Sequence, residues 1–234
     1  MKKLALVFAA AALCAGASQA RQVPADHLWP EASYFEIAYP PGVKPPTQRH
    51  YDFLMSVLEL AFRNTNTQMR MIEIPVSGPE SATGIHTNVG GKPAIFSVKA
   101  ESDLFKLVTT AGVTPDPHGV KVDRCEVPID PALAEKIADL WWTILLRTRY
   151  FQPNEESIFE GDGEYHFFVE RVFGDVGRSL EGWTWAAKPD TDVGALIGIV
   201  ATMRQYCMTK DSNSLSKLDA QVKVLSSKLE TGHS

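Results

Sequence analysis

The stretch from Pro128 to Met208 constrains the fold more than any other part of the chain, because it holds helical and strand hydrophobic periods side by side. Asp130-Pro131 reads as a helix start: Asp caps exposed backbone N–H groups, and Pro is tolerated at the first helical position, where a missing N–H costs nothing. Leu133, Ile137, Leu140, Trp141, Ile144 and Leu145 then fall on one apolar face, with Glu135, Lys136, Asp139 and Thr143 opposite. Pro153-Asn154 breaks this helix, and Gly161-Asp162-Gly163 reads as a tight hairpin turn, since Gly and Asp accept positive φ at low cost. Strands follow over Tyr165 to Phe173 and Gly182 to Lys188, joined around Gly174 to Gly177. Pro189-Asp190-Thr191 opens another helix, striped by Val193, Leu196, Ile197, Val200, Met203 and Cys207.

What precedes this stretch bears on where the chain works. Lys2 and Lys3, an apolar run from Leu4 to Ala17 and the small residues Ser18-Gln19-Ala20 form a secretory signal peptide, residues 1–20, cleaved near Ala20. Cys14 is not a lipid-attachment site, because Leu13 stands where a small residue is needed. No later run is apolar enough to span a bilayer, so the expected location is the periplasm or the medium. Without Lys2 and Lys3 the chain carries 21 basic and 28 acidic residues, net −7, which disfavours nucleic acid or an anionic membrane as a partner. Two cysteines remain, Cys125 and Cys207. In an oxidising compartment an even pair on two inward-facing patterns predicts a disulfide.

The rest of the chain reads as a single α+β domain over 21–234, a mainly antiparallel sheet packed by about four helices. Arg21 to Pro30 is polar and predicts a loose start. Tyr34 to Tyr39 alternates as a half-buried strand, and a helix follows Pro45-Pro46 with Thr47 as its cap and Tyr51, Leu54, Val57, Leu58 and Ala61 as its stripe. Met69 to Val76 is a strand in which Pro75 marks an edge or an early end. Ser77 to Pro93 has no periodicity and predicts a long loop, either mobile surface or a binding loop. Ala94 to Lys99 and Gly119 to Val127 are strands, and Asp103 to Thr110 fits either a strand or a short helix. At the C-terminus an amphipathic helix over 213–230 repeats Leu215, Leu218, Val222, Leu225 and Leu229 in three- and four-residue steps. That seam can serve self-association or close the domain's own core.

Motifs that carry chemistry are scarce. Gly90-Gly91-Lys92 lacks a P-loop's first glycine, because His86 holds that position, and Pro93 stands where Ser or Thr should follow the lysine. His27, His50, His86, His118, His166 and His233 show no metal-ligand spacing, so no metal and no cofactor is implied. There is no Gly-x-Ser-x-Gly elbow, and both mature cysteines sit on apolar patterns where a thiolate is disfavoured. Glu155, Glu156, Glu160, Asp162 and Glu164 form an acidic cluster. Read as a calcium loop from Glu160, it would need Gly where Tyr165 stands and Glu where Arg171 stands, so a solvated acidic hairpin or a partner contact remains. Trp183 and Trp185 share one strand face and form either a stacking platform or a surface packed on Trp141 and Ile144 of the long helix.

Arg149-Tyr150, Asp162-Gly163-Glu164-Tyr165-His166-Phe167, Gly182-Trp183-Thr184-Trp185 and Pro189 before an apolar helix resemble the C-terminal half of many uncharacterised exported bacterial proteins. The resemblance implies a fold and no activity. The expected function is an exported, non-enzymatic binding protein, of inhibitor or immunity type, acting on another protein in the periplasm. The alternatives are a hydrolase of an envelope polymer, built on His86 or His118 with a carboxylate from residues 155–164, and a self-associating envelope component. The mature protein is predicted to begin near Arg21 and to carry no lipid; intact-mass measurement showing Met1 retained or Cys14 acylated contradicts this.

Overall fold

The computed structural model describes residues 23–24, 28–29, 46–58, 67–88, 90–110, 115–150, 155–156, 163–173, 176–185 and 187–231. In chain order the elements are β1 (Val23–Pro24), α1 (Pro46–Val57), β2 (Thr67–Pro75), β3 (Ser81–Thr87), β4 (Pro93–Ala100), α2 (Leu104–Thr110), β5 (Val122–Pro128), α3 (Pro131–Leu145), β6 (Glu155–Glu156), β7 (Gly163–Phe173), β8 (Val176–Trp185), α4 (Asp192–Thr209) and α5 (Ser212–Thr231). Six strands form one sheet in the order β5-β4-β3-β2-β7-β8, every neighbouring pair antiparallel. The fold is α+β, as the sequence predicts, with five helices among the described residues, the fifth being α2.

The sheet is covered on both faces, and the strand parity shows which residues face which helices. Met69 and Met71 of β2, Ile85 of β3, Ile95 of β4, Val127 of β5 and Phe167 and Val169 of β7 share a core with α3, α4 and α5. Ile72, Ile74, Ala82, Phe96, Val98 and Ala100 look the other way, onto Phe53, Leu54 and Val57 of α1 and Leu104 and Val108 of α2. Trp141, fully buried in α3, meets the ring of Phe167 edge-on at 5.8 Å. Asp130 caps α3, accepting from the N–H groups of Ala132 at 3.0 Å and Leu133 at 3.1 Å.

The segment from Ser77 to Pro93 is not a long loop: it contains β3, in the interior of the sheet. Six of the seven residues of β3 are buried, so neither face is left to solvent and no alternation is visible. Gly84 is required there, because a Cβ at that position would lie 2.0 Å from the Met69 carbonyl oxygen of β2. Pro75 likewise does not mark an edge. It ends β2, an interior strand whose two neighbours are β3 and β7.

Other boundaries move by less. Residues 104–110 are a helix, and α1 begins at Pro46, placing Thr47 in the first turn and not at the cap. A short 3-10 helix, Pro117–Gly119, replaces the start of the predicted 119–127 strand. Leu28 is fully buried and Trp29 bridges to Trp183, so these two residues of the predicted loose start are anchored. The predicted strand over 34–39 and the turn residues 161–162 lie outside the described residues. The C-terminal seam is spent on the domain's own core: Leu218, Val222, Leu225 and Leu229 are buried there and Leu215 packs against it, so none of the first four is offered to a second copy. The turn before this helix is a cap, with Asp211 accepting from Ser214 N–H at 2.8 Å. Hydrogen bonds from the Thr209 and Ser214 side chains hold the Asp211 carboxyl down at about 2.

Cys125 and Cys207 are joined, with Cα atoms 5.8 Å apart and a sequence separation of 82. The bond ties the edge strand β5 to the last turns of α4 and is consistent with an oxidising compartment. A second link across the layers is buried: His50 Nε2 of α1 lies 2.7 Å from Glu80 Oε1, while Glu80 accepts from the Leu104 and Phe105 N–H groups at 2.8 and 3.0 Å. One carboxylate therefore satisfies both a buried imidazole and the N-terminus of α2.

Two stability predictions follow from these links. For a loop of this length the disulfide contributes about 4.5 kcal/mol in the loop-entropy model, so reduction should lower Tm by roughly 9–18 °C at ~2–4 °C per kcal/mol. An unchanged calorimetric Tm in reductant, or two titratable thiols in the unfolded, unreduced protein, refutes the first. Glu80→Ala should cost about 3 kcal/mol in urea unfolding, because it strands a buried imidazole and two helix N–H groups at once. A loss below about 1 kcal/mol would show that the carboxylate is dispensable.

Candidate functional site

Three places collect the side chains and backbone groups that could engage a ligand or partner: the aromatic residues of β7 and β8, the acidic stretch 155–164, and the free end of the β7–β8 hairpin. The first is set by strand parity. Trp183 pairs with His166, and Trp185 with Glu164. His166 pairs in turn with Ile72 of β2, which faces α1 and α2. Trp183 and Trp185 therefore lie on the face opposite Trp141 and Ile144, and the predicted packing on the long helix does not occur. What packs around Trp183 is aromatic. Trp29 meets it edge-on at 4.8 Å, Trp185 at 5.7 Å, and the His166 ring stacks on it at 6.0 Å with a 17° interplanar angle. Tyr51 of α1 lies 5.6 Å from His166.

This face is filled. Trp183 is 7% exposed and His166 2%, and the cavity beside Tyr51, Arg70 and His166, about 10 Å³, has room for one water at most. Next to it the Arg70 guanidinium sits 4.0 Å over the Phe168 ring. The pair of tryptophans is thus mainly a packing element, with Trp185, half-buried, at its margin.

The acidic stretch is not a hairpin closed onto β7. Both sides of β7 are taken, by β2 and by β8, and Glu155–Glu156 pairs in parallel with Val23–Pro24 in a separate two-stranded sheet. Glu160 and Asp162 lie outside the described residues. Glu164 comes within 3.6 Å of His166. The histidines proposed for a hydrolytic cleft are kept apart. His86 is level with the Pro128 end of β5, whereas His118 precedes the Val122 end, about 20 Å away at 3.3 Å per residue. His86 and Glu164 are likewise at opposite ends of β2, level with Thr67 and Ile74, roughly 23 Å apart along the strand. A carboxylate that does approach His86 is Glu126, at 3.3 Å from its Nε2. Among the described residues no group of three or more metal-ligating side chains converges.

The third place was not legible beforehand, because the strand was expected to begin at Gly182 and begins at Val176. β2 pairs with β7 only as far as Val169, so among the described residues Glu170–Phe173 and Val176–Ser179 run on past the sheet as a two-stranded arm. Val172 and Val176 on this arm are 71% and 59% exposed. Its base is held by Arg171, which pairs with Glu135 and Asp139 of α3. β8 is an edge strand, and the Trp29–Trp183 bridge shows its outward parity: Trp29 and Trp183 exchange N–H···O bonds of 2.8 Å in both directions. At period two, Gly177 and Ser179 present their N–H and C=O groups on the same outer edge. Among the described residues no strand covers them. The other edge strand, β5, is blunted by Asp123, Arg124 and Glu126 and ends in Pro128, whereas Val176 to Leu180 carries one charge, Arg178, and no proline.

Comparison with protein-family models, with curated proteins and with solved structures finds no match.

Burial separates the two tryptophans in a measurable way. Trp183→Ala should cost about 3–5 kcal/mol, as for a buried aromatic in a core, and Trp185→Ala less than half as much. Equal losses in urea unfolding would contradict the packing role assigned to Trp183.

Proposed function

We propose that the protein is an exported, non-enzymatic binding protein, of inhibitor or immunity type, whose target is another protein in the periplasm or the medium. The observation that carries this reading is the overhanging β7–β8 arm, with two exposed valines and an outer edge whose backbone groups at Gly177 and Ser179 meet no strand among the described residues. Exposed apolar residues on a two-stranded ribbon contribute nothing to the domain's own core, and a short ribbon is marginal alone. A partner that lays an extended strand along the edge would satisfy those groups and cover the valines. The Arg171 clamp on α3 holds the arm in place before binding, which lowers the ordering cost. In this reading the acidic residues Glu155, Glu156, Glu160 and Asp162 contribute long-range steering toward a basic partner.

The hydrolase alternative can draw on two histidine–carboxylate approaches, Glu126 to His86 at 3.3 Å and Glu164 to His166 at 3.6 Å. Both imidazoles are buried, at 4% and 2% exposure, and a substrate would have to reach one of them, which makes it the weaker reading.

The test uses the parity of β8. Ser179→Pro removes an N–H that points away from β7, so it should spare the sheet's own ladder and block strand addition. Wild-type protein and Ser179→Ala, coupled to beads, should retain the same envelope protein. Ser179→Pro, with a Tm within a few degrees of wild type, should retain at least about tenfold less, a difference near 1.4 kcal/mol. Equal retention by Ser179→Pro, or no retained protein with any of the three, rejects the reading; a retained band of the chain's own mass would show that the occupant is a second copy.

A further inference from the structure

We draw no further inference here: the strongest candidate, the open groove of about 510 Å³ between α3 and α5 lined by Lys136, Leu140, Thr143, Lys223 and Leu229, is an unpartnered surface with a rim of both charge signs, and nothing in the structure shows what covers it.

Discussion

The rest of the molecule depends on β2 being buried on both faces. Met69 and Met71 face one core, Ile72 and Ile74 the other, and all four are shielded from water. A strand of this kind has no side to leave wet, so the sheet around it must be covered twice, and the helices divide accordingly into α3, α4 and α5 on one face and α1 and α2 on the other. β2 is also where the two halves of the chain join. On one side it continues the meander β2-β3-β4-β5, and on the other it pairs from Met69 to Pro75 with β7, from the C-terminal half. Bringing those distant segments together carries a loop-closure cost, which the pairing and the burial behind it must offset. The Cys125–Cys207 bond acts on the same problem at the far edge of the sheet.

Polar groups at the helix–sheet contacts orient what the apolar cores only attract. Arg204 of α4 reaches Glu73 at 2.7 Å, Ser81 at 2.9 Å and Thr83 at 3.3 Å, and Thr83 in turn meets Ser97 at 2.9 Å. Hydrophobic burial is non-directional, whereas this row of bonds is satisfied at one position of α4 over the sheet. Asp192, buried at the start of α4, does the same for the helices, with Arg147 after α3 at 2.9 Å and Lys228 of α5 at 2.7 Å. Such pairs pay desolvation, so their contribution is placement more than net stability.

Most of the helices could be read from local pattern, and two segments of the six-stranded sheet could not, for opposite reasons. β3 has no visible alternation because both of its faces are buried and its residues are small, with Gly84 forced by the approach of β2. The first half of β8 has none because Val176 to Ser179 is wet on both faces. Period-two patterning reports a difference between faces, and neither segment has one. The missed half of β8 is also the part that carries the candidate interaction edge, so the site was less legible than the fold. Trp183 and Trp185 could be placed on one strand face, but which layer covered that face depended on the sheet order.

By itself the sequence determined the α+β class, the cap at Asp130, a helix opening at residues 189–191, the apolar stripes of α3, α4 and α5 and, from an expected export and an even cysteine count, the expectation of a disulfide. Those features are set by residues within a turn or two of one another, or by the compartment. Only the tertiary structure decided that β3 and β2 are interior, that the tryptophans turn away from α3, that the leucine seam of α5 is consumed at home, and that among the described residues the β7–β8 arm overhangs the sheet. The interior place of β2 and the direction in which the tryptophans face follow from the pairing of β2 with β7, a contact between residues far apart in the chain, and no local pattern of side chains encodes which distant strand will fill an edge.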